Sequence, residues 1–189
     1  MPETLTLDPK KTALVLIDLQ NGIVGRDTKP YTASEVVERS RSLADAFRAK
    51  HAPVVYVRVM MNDFLSLPAD EAMNLPKDIP AQFSEIAESA GMQEGDLLIT
   101  KRHWGAFAGT ELEHELRSRG VDTVVLAGIA TNIGVESTLR QGTGLGFAFV
   151  TVEDACTTFS PEMQQFAFSA IFPRLSRVRT TQQVIEALA

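Results

Sequence analysis

The chain has 189 residues, 44% of them apolar and 22% charged, and its 18 basic and 24 acidic side chains leave a net charge of −6. These proportions fit one globular domain, 1–189, with a sizeable core; they exclude a disordered tail and offer no basic stripe for nucleic acid or for an anionic membrane surface. No apolar run approaches the ~20 residues that cross a bilayer, and Met1-Pro2-Glu3-Thr4 lacks the basic and apolar regions of a signal peptide, so a cytoplasmic location is expected.

Short apolar runs alternate along the chain with longer amphipathic ones, the pattern of β-α-β units around a parallel sheet. The first strand is expected at about 12–18, where Ala13-Leu14-Val15-Leu16-Ile17 suits burial on both faces. A helix follows over roughly 33–50. Thr32 and Glu35 form its capping box, and Val36, Val37, Leu43, Ala44 and Phe47 share its inner face. A second strand is read at 53–60. Residues 61–96 then break the short-loop rule: they carry Pro68, Pro76 and Pro80, the apolar residues Phe64, Leu65, Leu67, Met73 and Leu75, and one short helical stretch near 81–89. So long a connection is expected to be a lid or a subunit contact, the alternative being a well-packed surface excursion, and its apolar residues make a homodimer or homotetramer the expected assembly.

Further strands are expected at 97–100, 122–128, 146–152 and 174–178. Helices are expected at 110–119, with Thr110 and Glu113 as a capping box, at 133–143, at 161–171 behind Ser160-Pro161, and at 181–188 behind Thr180 and Gln183. Val184, Ile185 and Leu188 would dock the last helix on the sheet. The whole reads as a three-layer α/β domain with a six-stranded, Rossmann-like parallel sheet, and right-handed crossovers allow the strand order 3-2-1-4-5-6.

Chemistry is concentrated at the carboxyl ends of these strands, where open α/β sheets bind ligands. Asp18 closes the first strand, as either a ligand-facing carboxylate or a turn aspartate; Lys101 follows the third, as either its partner or a solvated charge. After the fourth strand, Gly128 and Thr131-Asn132 make a tight turn into a helix. Its start favours a carboxylate or developing oxyanion, although an ordinary strand-to-helix turn would look the same. Cys156 is lone, so it makes no internal disulfide, and its expected role is that of a small buried thiol. His51, His103 and His114 are scattered and give no metal site. Gly142-Thr143-Gly144-Leu145-Gly146 precedes a strand and so is no phosphate cradle. No metal and no cofactor are expected.

Three segments in order, Leu16-Ile-Asp-Leu-Gln-Asn21, Lys101-Arg-His-Trp-Gly-Ala-Phe-Ala-Gly-Thr110 and Gly128-Ile-Ala-Thr-Asn-Ile-Gly-Val-Glu-Ser-Thr138, resemble the signature of the isochorismatase-like, or cysteine hydrolase, superfamily. The resemblance implies the same strand order, Asp18 and Lys101 as catalytic residues, backbone amides at Ala130 and Gly134 as an oxyanion hole, and a cis peptide at Ile129–Ala130. It also implies that Gly134 stands where the amidase members carry their nucleophilic cysteine. Covalent thiol catalysis is then unavailable. Isochorismatases in the superfamily also have glycine there and cleave a vinyl ether by proton transfer, although Ala130-Thr131-Asn132 differs from the sequence associated with them.

On that model Asp18 is a general acid and Lys101 binds a substrate carboxylate or positions water, with Gln20, Arg58, Trp104, Phe107 and Asn132 as substrate-binding candidates; Arg102 and His103 are further candidates for the pocket wall. A lysine lowers an aspartate's pKa, so the acid role requires burial or a substrate's charge to outweigh it. The expected function is a cofactor-free hydrolase of a small, carboxylate-bearing molecule. The alternative is a catalytically silent member that binds a small ligand or has a structural role.

Overall fold

The structure, a computed structural model, describes residues 4–73, 75–76 and 78–188. Six parallel strands form one sheet in the order β3-β2-β1-β4-β5-β6. They are β1 (Thr12–Ile17), β2 (Val54–Val59), β3 (Leu97–Lys101), β4 (Thr123–Ile129), β5 (Ala148–Thr157) and β6 (Arg177–Arg179). β1 is buried along its whole length between β2 and β4, which explains its unbroken aliphatic run.

Helix α1 (Asn21–Val24) is a single turn beyond β1, and α2 (Ala33–Ala49) carries the capping box of Thr32 and Glu35. The five apolar residues expected on the inner face of α2 are all buried. α3 (Leu112–Ser118), α4 (Glu136–Gly144), α5 (Pro161–Phe166) and α6 (Thr181–Ala187) complete the helices. α2 and α6 pack on each other and on the sheet. The helices after β3 and β4 lie on the opposite face, as right-handed crossovers require once the strand order reverses direction. Among the described residues no helix is long and apolar enough to cross a membrane.

Several expectations need correction. Thr110 makes no capping box: Glu111 precedes α3 without a side-chain cap, and the Thr110 hydroxyl donates to Ala106 O while accepting from Leu112 N. β5 runs to Thr157, well past 152, and so takes Cys156 into the strand opposite Gly128. The polar pair Glu153-Asp154 conceals this extension. Asp154 stays in the strand because its carbonyl accepts from Arg39 and its carboxylate accepts from the backbone N–H and hydroxyl of Thr181. β6 starts later than expected, since Phe172–Arg174 form a 3-10 turn around Pro173.

The 61–96 connection contains only the 3-10 turns Met61–Asp63, Ala81–Ser84 and Glu88–Ala90. It is pinned to the segment after β1, because Asn21 N donates to Glu85 O and Ala87 N donates to Leu19 O. The fold thereby lays this excursion across the carboxyl end of the sheet. Asn74 and Lys77 within it lie outside the described residues.

Candidate active site

Asp18 leaves β1 with a left-handed backbone, φ 55°, which turns its carboxylate off the strand path. Lys101 ends β3 and is 1% exposed, and its Nζ lies 3.0 Å from Asp18 Oδ2, reaching past β2 to do so. The same ammonium donates to Trp104 O, so the turn after β3 also positions it. Asp18 Oδ1 is buried and has no hydrogen-bond partner among the described residues. Burial raises the Asp18 pKa above the usual carboxylate range; the nearby Lys101 opposes this by charge and hydrogen bond, and burial prevails.

The third wall is the turn after β4. Gly128 has φ 128°, and a β-carbon there would collide with the backbone of Ile17, so only glycine lets β4 approach β1 this closely. The Ile129–Ala130 peptide is cis. Thr131–Val135 then form a π-type turn in which Val135 N donates to Ala130 O, and α4 follows at Glu136, later than the expected start at 133. The turn is held from outside: Thr138 Oγ1 donates to Gly134 O and accepts from Ala106 N, and the hydroxyl of Thr131 donates to Gln164 Oε1. Gly134 faces the ion pair, for a β-carbon on it would stand 3.2 Å from both Asp18 Oδ2 and Lys101 Nζ.

Above this floor is a cavity of about 70 Å³, lined by Asp18, Lys101, Ala130 and Gly134 together with mostly apolar side chains. Met61, Phe64, Met73 and Leu75 come from the 61–96 excursion, which therefore forms part of the wall. Phe64 is fixed against the turn after β3, stacking on His103 at 5.4 Å between ring centroids and meeting Trp104 edge-on at 5.0 Å. Leu65 N donates to Arg102 O, and Arg102 pairs with Asp63. Cys156 takes no part in the site; it is wholly buried in β5 and burial pushes its thiol up to about 12.

Residues 12–183 match the model of the isochorismatase domain, which is most of the chain. This chain belongs to the isochorismatase family. The Escherichia coli O157:H7 isochorismatase family protein YecD is 46% identical over 191 residues, covering 97% of this chain and all of the relative. A solved isochorismatase family protein from Burkholderia thailandensis superposes with a TM-score of 0.93 at 42% identity, over 98% of this chain and 99% of the other. An N-carbamoylsarcosine amidase from Thermoplasma acidophilum superposes with a TM-score of 0.71 at 25% identity, over 90% of this chain and 96% of that one. Hydrolase function is supported at the level of the family.

Within this isochorismatase-family fold, the structure gathers Asp18, Lys101, Ala130, Gly134 and Trp104 around one cavity and leaves four of the expected substrate-binding residues outside its lining. Gln20 is fully buried and acts as a brace: its amide accepts from Val59 N and donates to Val59 O and Phe83 O, joining the turn after β1 to β2 and the excursion. Arg58 stays on the sheet and donates to Thr100 Oγ1. Phe107 is core, stacked on Phe147 at 5.6 Å. Asn132 accepts from Thr158. Conversely, Ile23, Arg26, Val59, Ile133 and Phe159 line the cavity and were not anticipated. Their common signal is position, for each lies at or shortly after the carboxyl end of β1, β2, β4 or β5. Among the described residues no three His, Cys, Asp or Glu side chains converge as a metal site requires.

Proposed function

We propose that this isochorismatase-family protein is a hydrolase that works without a thiol nucleophile, transferring a proton through Asp18 to or from a small substrate held in the cavity. The observation carrying this reading is the Asp18 carboxyl itself: one oxygen is fixed by Lys101, and the other is buried and unpartnered beside the cavity. A buried carboxyl with a raised pKa keeps its proton to higher pH than an exposed one, as a general acid must near neutrality.

For a vinyl ether, Asp18 would protonate the alkene carbon, water would add to the cation so formed and return one proton to Asp18, and the resulting hemiketal would collapse to a carbonyl, its hydroxyl proton passing to the departing alcohol oxygen as the carbon–oxygen bond breaks. Lys101 holds the carboxyl in place throughout. The backbone at Ala130 and Gly134, both lining the cavity, is the proposed contact for a substrate oxygen that gains negative charge. With glycine at 134 this turn supplies no side-chain nucleophile, which also favours a second reading, a silent family member that binds a small ligand.

The test is a screen of vinyl ethers, esters and amides with the wild-type protein, Asp18→Ala and Asp18→Asn side by side. Loss of the proton-transferring group is expected to lower turnover by roughly 10²–10⁴-fold. Turnover that survives both substitutions in folded protein would remove Asp18 from the chemistry, and binding without turnover of any compound would support the silent reading.

A further inference from the structure

Two cations line the cavity in different circumstances. Lys101 is committed to Asp18 Oδ2 and Trp104 O at the buried end, so its ammonium donors are already engaged. Arg26, just beyond α1, is exposed, and among the described residues its guanidinium has neither a carboxylate nor a carbonyl acceptor; it lies 5.9 Å from the ring centroid of Phe159, which lines the same cavity. Among the described residues Asp18 is the only acidic one in the lining, and it is held by Lys101. Among the described lining residues Arg26 is therefore the cation left without an acceptor, at the cavity's open end, above walls supplied by Phe64, Met73, Leu75 and Trp104.

We propose that Arg26 is an anion subsite and that the protein takes a small monocarboxylate with an apolar body, its carboxylate on Arg26 and its reacting group at Asp18. This rests on the hydrolase reading of Asp18. The planar guanidinium fork matches two carboxylate oxygens, whereas an ammonium already holding two acceptors does not. The anion-binding role expected of Lys101 thus passes to Arg26. The unpartnered Asp18 Oδ1 is the independent sign that a ligand belongs in this cavity, because a buried polar atom without a partner calls for one. In a chain of net charge −6, a local cation is one way to recognise an anion, and a cation at an exposed mouth acts in a salt-dependent way.

The test is binding of benzoate and of its neutral isostere benzamide, by ligand-observed NMR and titration calorimetry, to wild type, Arg26→Gln and Asp18→Asn. Wild type is expected to prefer benzoate by about tenfold, as for a charged hydrogen-bond partner at a partly exposed site, and added salt should shrink the preference. Arg26→Gln should bring the two probes to parity with little change in melting temperature, since Arg26 is exposed and the side-chain contact given up is its approach to the Phe159 ring. Asp18→Asn should keep the preference. Equal binding of the two probes to wild type, no binding of either at millimolar concentration, or a preference that survives Arg26→Gln would each overturn the proposal. The readout needs no turnover, so failure of the subsite and failure of Asp18 as the reacting acid are separate results.

Discussion

Gly134→Cys tests whether the π-type turn holds its residue against the ion pair. A β-carbon at 134 would lie 3.0 Å from Ile17 Cγ2 and 3.2 Å from both Asp18 Oδ2 and Lys101 Nζ. These separations are a few tenths of an ångström inside ordinary contact, so the neighbours must give slightly. The backbone is not an obstacle, because Gly134 is not among the glycines with positive φ. Overpacking of this kind costs ~1–3 kcal/mol, which for a chain of this length lowers the melting temperature by roughly 2–12 °C; Gly134→Ala measures that part alone. The new thiol would stand beside an ammonium that favours thiolate, while burial acts in the opposite direction. Cys156 is the internal reference, since burial pushes its thiol up to about 12. At pH 7 a thiol with an ordinary pKa near 8.5 is roughly 3% thiolate, against roughly 0.001% for one at 12. If residue 134 keeps even an ordinary pKa, it should react with iodoacetamide roughly a hundredfold faster than Cys156, the difference in thiolate fraction being partly offset by the greater nucleophilicity of the more basic thiolate, as read by peptide mass spectrometry. A folded variant whose residue 134 thiol is as inert as Cys156 would refute the placement of Gly134 against Asp18 and Lys101.

Three further outcomes are expected. In a pH–rate profile of any substrate found, Asp18 as general acid gives kcat/KM that is high while the carboxyl is protonated and falls as pH rises through its folded pKa; burial sets that limb above the ordinary 3.8, and a rising limb in its place would make Asp18 the base. Ending the chain at Thr180 removes Val184, Ala187 and Leu188 from the core, together with the bond from Leu7 N to Ala187 O, so urea denaturation should show a loss of several kcal/mol at ~1.5–3 kcal/mol per large aliphatic side chain. An unchanged midpoint would mean α6 is not docked. Finally, we propose a homodimer or homotetramer in solution, on the exposure of Leu65, Leu67 and Phe83 in the excursion and of Met163 and Phe166 on α5; a monomeric mass by light scattering at micromolar concentration would contradict it.

What the sequence alone determined is what rests on neighbours in the chain. Aliphatic runs marked the strands because a strand buried on both faces admits little else, Thr32 and Thr180 marked helix starts because capping is completed within four residues, and the observed strand order was one that right-handed crossovers allow and that the family resemblance implied. Asp18, Lys101 and the 128–138 turn were legible as sequence segments, each at a strand's carboxyl end. The tertiary structure decided where side chains go, because each destination depends on segments distant in the chain. Gln20 braces Val59 and Phe83, and Phe107 packs on Phe147, so neither reaches the cavity. Arg26 and Phe159, 133 positions apart, meet at its mouth. Thr110 lost its cap to Ala106 O, and β5 absorbed Glu153-Asp154 because Arg39 and Thr181 supply partners for Asp154. The protonation bias of Asp18 belongs to the same class. Lys101 alone would lower its pKa, and only the packing of β1, the excursion and the π-type turn around it provides the burial that raises it.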